Sequence, residues 1–150
     1  MTSTAAVGVN LFFEIISSQT TMQVVNTVGF NAAPELATFT IPVEFEPTPP
    51  GASIGRTMGL AIANRNATSA SLSLTLLNDQ GAAVATHPVT LGPLSQVAID
   101  LRSVSEFAAV LPAGNFIGAL VVTSSLPVSA IALEDDLGPF SAVPVMNGRP

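Results

Sequence analysis

Apolar and polar residues alternate along most of this chain with a period of two, the spacing of a strand with one face buried. In 37–46, Phe39, Ile41, Val43 and Phe45 fall on one face, and Thr38, Thr40, Glu44 and Glu46 on the other. Pro42 within that run places the strand at a sheet edge, or at a position that needs no ladder donor. Ser69 to Leu76 repeats the pattern with Leu72, Leu74 and Leu76 inward. Asn78-Asp79-Gln80-Gly81 then reads as a tight turn, with Gly81 free to take positive φ, and Ala82 to Leu91 returns as the hairpin partner. Gln96 to Leu101, Phe116 to Ser124, Val128 to Leu133 and Phe140 to Val145 continue the series. Val9 to Ile16, Gln23 to Val28 and Met58 to Ala63 are further strands upstream.

Roughly nine or ten short strands separated by turns predict an all-β protein, an antiparallel two-sheet β-sandwich of immunoglobulin-like or jelly-roll-like type. One stretch departs from the period. Ser103 with Glu106 three residues later matches a capping box, so one short helix is expected near 103–110, ending before Pro112. The Pro-rich stretch 46–53 would leave only about 46 residues before it, too few for an independent core. It is read as an internal loop of a single domain spanning 1–150.

Composition changes the picture in one direction. Only 9% of the 150 residues are charged, 48% are hydrophobic, and Cys, Trp, Tyr and Lys are absent. Ordinary soluble domains carry about 25% charged residues. Four arginines scattered among ten acids, with a net charge of −6, cannot build the basic face that nucleic-acid binding needs. Without Cys there is no disulfide framework, zinc ribbon or thiol nucleophile. No apolar window reaches a membrane span, and Val7 to Ile16 has no basic region before it, so it is not a signal peptide. An extracellular destination therefore requires a signal outside this segment.

Candidate chemistry is sparse. His87 is the one side chain that titrates near neutrality unaided, and it has no acidic neighbour in sequence. A general base needs an orienting partner and a nucleophile, so an exposed strand histidine is the expectation. Glu134-Asp135-Asp136 is the acidic cluster and, with Asp79 or Asp100, the candidate calcium site. Consecutive acids in a strand point to alternate faces, so a solvated turn before Gly138 is favoured and no metal or cofactor is expected. Glu44 and Glu46 share a face and imitate a paired-carboxylate site, but nothing near them suggests a pocket that would raise either pKa. Sugar-stacking Trp and Tyr are absent, which disfavours a glycan platform. Asn66-Ala67-Thr68 fits a glycosylation sequon, relevant only in a eukaryotic secretory host.

The missing charges point to partners. Natural sheet edges are protected by Lys or inward charges, yet residues 1 to 50 hold no basic residue and outward positions are Ser, Thr, Ala and Asn. Packing against copies of itself or against sister modules, as a homo-oligomer, is expected.

The stretch from Met58 to Leu133 contains GLAIAN, SLSLTLLNDQGAAVAT, VTLGPLSQVAIDL and FIGALVVTSSLPVSAIAL. It resembles a β-sandwich module recurring in large secreted and surface proteins of environmental bacteria, notably acidobacteria. The shared elements are the strand ending in Ala63-Asn64, the Gly81 hairpin and the pair of strands around Ser124-Ser125-Leu126-Pro127-Val128. The resemblance implies an extracellular, non-enzymatic structural or adhesive module, and it carries no active-site motif. The alternatives are a self-assembling filament or shell subunit, using strand exchange by Val9 to Ile16 or edge pairing, and a calcium- or glycan-binding module.

Overall fold

The structure, a computed structural model, describes the backbone of residues 10–16 and 24–31 and, in full, residues 33–50, 55–111, 114–136 and 140–150. The protein is mostly β. Strands β1 (Asn10–Ile16) and β2 (Val24–Asn31) pair antiparallel in a small sheet of their own. The large antiparallel sheet holds β3 (Glu35–Phe45), β4 (Arg56–Ala63), β5 (Ala70–Asn78), β6 (Ala83–Leu91), β7 (Gln96–Asp100), β8 (Phe116–Asp136), β9 (Phe140–Val143) and β10 (Met146–Asn147). Val9, Gln23, residues 51–53 of the Pro-rich loop, Pro112 and the Gly138-Pro139 turn lie outside the described residues.

Strand β8 organises the sheet. The two strands expected at Phe116 to Ser124 and Val128 to Leu133 are one strand of 21 residues, bent in the middle. On one side it pairs with β3, whose register jumps from Leu36↔Val128 to Thr38↔Thr123. Residues 124–127 therefore bulge against Ala37. Pro127 has no N–H for the ladder, and the Ser125 hydroxyl accepts a hydrogen bond from the Ser71 amide (3.0 Å), so the break is satisfied locally.

On its other side β8 pairs first with β5 (Asn78↔Gly118 to Leu72↔Ser124) and then with β4 (Ala63↔Ser129 to Arg56↔Asp136). β4 and β5 thus lie end to end along one strand. β7 and β6 lie end to end beyond them, paired with β4 and β5 respectively. The breaks at residues 64–69, 92–95 and 124–127 fall in line, and the sheet bends there.

Asn64 fastens that line. Its side chain is 1% exposed. Its Nδ2 donates to the carbonyls of Thr68 (2.9 Å), Leu91 (3.3 Å) and Gly92 (2.8 Å). Its Oδ1 accepts from the Asn66 amide (3.0 Å) and from Asn66 Nδ2 (2.8 Å), which also donates to Pro127 O (2.9 Å). One amide side chain so satisfies the carbonyls that two interrupted strand pairs leave unpaired.

The bend brings distant parts together. A straight strand of this length would span roughly 70 Å at about 3.3 Å per residue. Yet the Glu46 amide, next to the residue paired with Phe116, donates to the carbonyl of Arg56, the partner of Asp136, at 3.1 Å. One buried cluster results, joining Phe39, Ile41 and Val43 of β3, Leu60 and Ile62 of β4, Leu74 and Leu76 of β5 and Leu120, Val122 and Val128 of β8. These are the inward positions of the period-two pattern.

The expected helix is present but is built differently. A 3-10 turn (Leu101–Ser103) is capped by the Asp100 carboxylate, which accepts from the Arg102 amide, and α1 (Ser105–Ala108) follows with Val104 at its N-cap. The Ser103–Glu106 capping box does not form. The Ser103 hydroxyl instead donates to the Asp100 carbonyl (2.7 Å), and Glu106 turns toward His87. Phe107, fully buried, anchors α1 in the core beside Leu101, Val104 and Leu111.

Prolines sit on two of the outer strands. β6 pairs with β5 alone, and beyond β3 only β10 follows, covering Phe39 and Thr40. Pro88 and Pro42 sit on these two strands, where a missing N–H denies a bond to an incoming strand. The expected edge position of Pro42 is what the sheet order gives.

Candidate interaction surface and charged clusters

Four of the acids singled out in the sequence converge, and they do so on an arginine. Arg56 opens β4 opposite Asp136. Its guanidinium lies 2.7 Å from Glu44, 3.5 Å from Glu46, 3.6 Å from Glu134 and 3.2 Å from Asp136. Glu44 lies at the end of β3 with Glu46 just beyond it, and Glu134 and Asp136 lie at the end of β8, so the arginine ties the two halves of the bent sheet together. It also occupies the centre of the carboxylates that a calcium ion would need. Asp135 faces the other way, paired with Thr57 and Phe140, and is 9% exposed. Asp100 is engaged with Arg102 at 3.2 Å, and Asp79 lies in the 78–81 turn. Among the described residues no group of three or more acidic, His or Cys side chains is arranged to hold a metal ion.

Asn78 makes that turn as expected: its Oδ1 accepts from the amides of Gln80 (3.1 Å) and Ala82 (2.9 Å), and Gly81 takes φ of 76°.

The cluster sets a pH dependence. Burial pushes the Glu134 carboxyl above the ordinary glutamate value; Arg56 opposes this, and Glu44, Asp136 and Glu46 add to the rise. The folded protein then holds a proton that the unfolded chain releases, so stability rises as pH falls through the raised value and levels off at the ordinary one. Glu106 has the opposite sign. The Ser105 hydroxyl, its own backbone amide and His87 hold it below the ordinary value, so its contribution is lost as pH falls through that lowered value. The expected melting temperature therefore climbs on mild acidification from neutrality and drops in stronger acid. In Glu134→Gln the climb should disappear; an unchanged profile in that variant would assign the effect elsewhere.

His87 has a partner that the sequence did not reveal. Its Nδ1 lies 2.9 Å from Glu106 Oε2, and its ring meets Phe107 edge-on at 6.3 Å between centroids. His87 borders a depression of about 390 Å³ lined also by Val89, Val97, Ser103 and Ser105. Such an oriented imidazole is half of a general-base arrangement. The other half is missing among the described contacts, because the Ser105 hydroxyl donates to Glu106 (2.7 Å) and not to the ring.

A further uncommitted feature is apolar. Outward positions of β8, β4 and β7 stand in register as Leu133↔Gly59↔Asp100 and Ile131↔Ala61↔Ala98. They line a trough of about 260 Å³ with Asp100 at one end. Small residues form its floor, and Ile131 and Leu133 form its wall.

Beyond the other end of this face stands Leu94, 76% exposed and the one described non-glycine residue at positive φ (50°). A left-handed conformation costs an L-residue roughly 1–2 kcal/mol, and Leu94 recovers none of it by burial. The Leu94 amide donates to the Asn66 carbonyl (3.1 Å), so the Asn64 knot holds it there. Nothing in Gly92-Pro93-Leu94-Ser95 signals this conformation. Arg56, by contrast, is legible as the first cation after 55 residues without one.

Fold and surface together define an antiparallel β protein whose charged side chains are largely spent on one another and whose outer sheet face is apolar. No protein-family model and no curated protein matches the chain. Among solved structures it is similar to Thermotoga maritima protein 1070, at 16% identity and a TM-score of 0.57, over 77% of this chain and 98% of that one. It is also similar to the Anabaena sensory rhodopsin transducer, at 17% identity and a TM-score of 0.49, over 64% and 93% of the two chains. The first likeness is one of fold alone. Among the described residues no helix is long and apolar enough to cross a membrane.

Proposed function

We propose that this chain is a non-enzymatic structural or adhesive module of an extracellular or cell-surface bacterial protein, working by packing against sister modules or further copies. The trough lined by Gly59, Ala61, Ala98, Ile131 and Leu133 carries the reading, since it leaves apolar surface in water with no use inside the chain. The resemblance of 58–133 to modules of secreted acidobacterial proteins supports the same view. We read the bent sheet as two layers over one core, β10–β3–β8–β5–β6 and β9–β8–β4–β7, meeting in the two halves of β8. That arrangement is the sandwich expected from the sequence, and it turns the trough outward on the second layer.

Face packing suits this chain better than edge pairing. Pro42 and Pro88 interrupt two of the outer strands, leaving β7 as the outer strand without a proline, and β1 is already paired along its length with β2, so strand exchange by that segment would first have to open the hairpin. Calcium binding is disfavoured by Arg56 at the centre of the acids, so a thermal melt should have the same midpoint with Ca²⁺ and with EDTA. Catalysis is disfavoured because Ser105 bonds to Glu106 rather than to His87.

Light scattering behind a sizing column tests the proposal, with refractive-index detection because Trp and Tyr are absent. The expected mass rises above 15.3 kDa with concentration. A constant monomer up to millimolar concentration would overturn packing between copies.

A further inference from the structure

We propose that the recess between residues 148–150 and the outward side of β5 and β8 binds a small aliphatic monocarboxylate. Arg149 holds the carboxylate, and the hydrocarbon chain lies against Leu77, Val121 and Pro150. The site is separate from the trough and does not depend on packing between modules.

The strand pattern lays its floor. Leu74 and Leu76 of β5 and Leu120 and Val122 of β8 belong to the core cluster, so Thr75, Leu77 and Val121 between them face outward. Thr40, Val121 and Thr75 stand in one row across β3, β8 and β5. Yet Val121 is 5% exposed and Thr40 only 3%. The segment after β10 is their cover. Gly148, at a φ of 89° that suits glycine, turns it over the sheet. The Gly148 amide donates to the Thr38 carbonyl (3.1 Å), and its carbonyl accepts from the Thr40 hydroxyl (2.7 Å). Beyond this double pin, Arg149 and Pro150 enclose a recess of about 380 Å³ with Thr75, Leu77, Gly81 and Val121. Small-molecule pockets span roughly 300–1,000 Å³.

The lining chooses the ligand. Arg56, Arg65 and Arg102 are each engaged by a carboxylate. Arg149 is exposed and is, among the described residues, the one arginine without an ion pair. No acid lines the recess. The Thr75 hydroxyl accepts from the Thr86 hydroxyl at 3.5 Å, which leaves its own proton to donate. The polar side chains there are thus a guanidinium and a hydroxyl, and the remaining walls are apolar. A planar guanidinium takes a carboxylate through two parallel N–H···O bonds, and the walls take a short hydrocarbon chain out of water. A metal cation would be repelled by Arg149, and a sugar would set its hydroxyls against Leu77 and Val121.

Octanoate is the probe, titrated into the full chain and followed by methyl NMR. The Leu77 and Val121 methyls should shift and saturate. Octanol, which keeps the chain, should bind roughly tenfold more weakly, the loss of one charge-assisted contact. Acetate, which keeps the head group alone, should bind more weakly still. Arg149→Gln should weaken octanoate to the level of octanol without changing octanol binding or the melting temperature. Arg149→Lys, which keeps the charge without the fork, should recover part of the affinity.

Three results would each overturn the proposal: octanoate moving these methyls no more than octanol does, equal saturation in Arg149→Gln, or shifts centred on Ile131 and Leu133 instead. None of them bears on packing between modules, which the sizing experiment decides by itself.

Discussion

Asn64→Asp should be the most damaging single-atom change in this protein, lowering its stability by about 3–5 kcal/mol. The variant keeps size and shape but replaces the Nδ2 donor with a carboxylate oxygen. That oxygen would face the carbonyls of Thr68, Leu91 and Gly92, all within 3.3 Å of the present nitrogen, in a site only 1% exposed. Each buried group left unsatisfied costs about 1–3 kcal/mol, and more when charged. For a chain of this size each kcal/mol moves the melting temperature by about 2–4 °C, so a fall on the order of 10 °C is expected. Asn64→Ala, which removes the acceptors' partner without adding charge, should fall in between. A change of a degree or less in Asn64→Asp, followed by circular dichroism, would mean that the three strand breaks are held by something other than this side chain.

The second large effect is expected at Phe107→Ala, a loss of about 3–5 kcal/mol. A helix of four residues has no stability of its own, and α1 survives because the fully buried Phe107 ring fills the core beside Leu101, Val104 and Leu111. Truncation leaves a cavity there and takes the ring away from beneath His87. Phe107→Leu, close in volume, should cost about 1.5 kcal/mol or less. Chemical denaturation of the two variants measures both. Equal small losses would show that α1 is a surface connection rather than a lid on the core.

Much of this was legible in the residues, and what was not has physical reasons. Period-two alternation locates the strands because each presents one face to the core, and the inward Phe39, Ile41, Val43 and Phe45 are buried as the pattern requires. It cannot show whether a break ends a strand or bends one. Ser124-Ser125-Leu126-Pro127 looks like a turn between strands, but the chain continues through it as one bent strand, because β3 runs past the bulge on one side and β4 and β5 flank it on the other. The capping box failed for a local reason: Asp100, three residues earlier, offers a carboxylate to the Arg102 amide, and Glu106 finds a cation-capable partner across space in His87.

The acids show the same division. Their clustering in sequence is visible at Glu134-Asp135-Asp136, and so is the shared side of Glu44 and Glu46. Their convergence on Arg56 depends on the bend of β8, which joins chain ends far apart in sequence. Leu94 was illegible for a simpler reason, since its conformation is imposed by the Asn64–Asn66 knot and not by its own propensity.

The central claim is that the outer face of β8, β4 and β7 is the working surface of this module. Hydroxyl-radical footprinting across a concentration series reads that face residue by residue. Oxidation of Ile131 and Leu133 should fall steeply as concentration rises, while Ile117, 67% exposed on the other part of β8, keeps its reactivity. Uniform labelling at all three positions over the whole range would contradict the account.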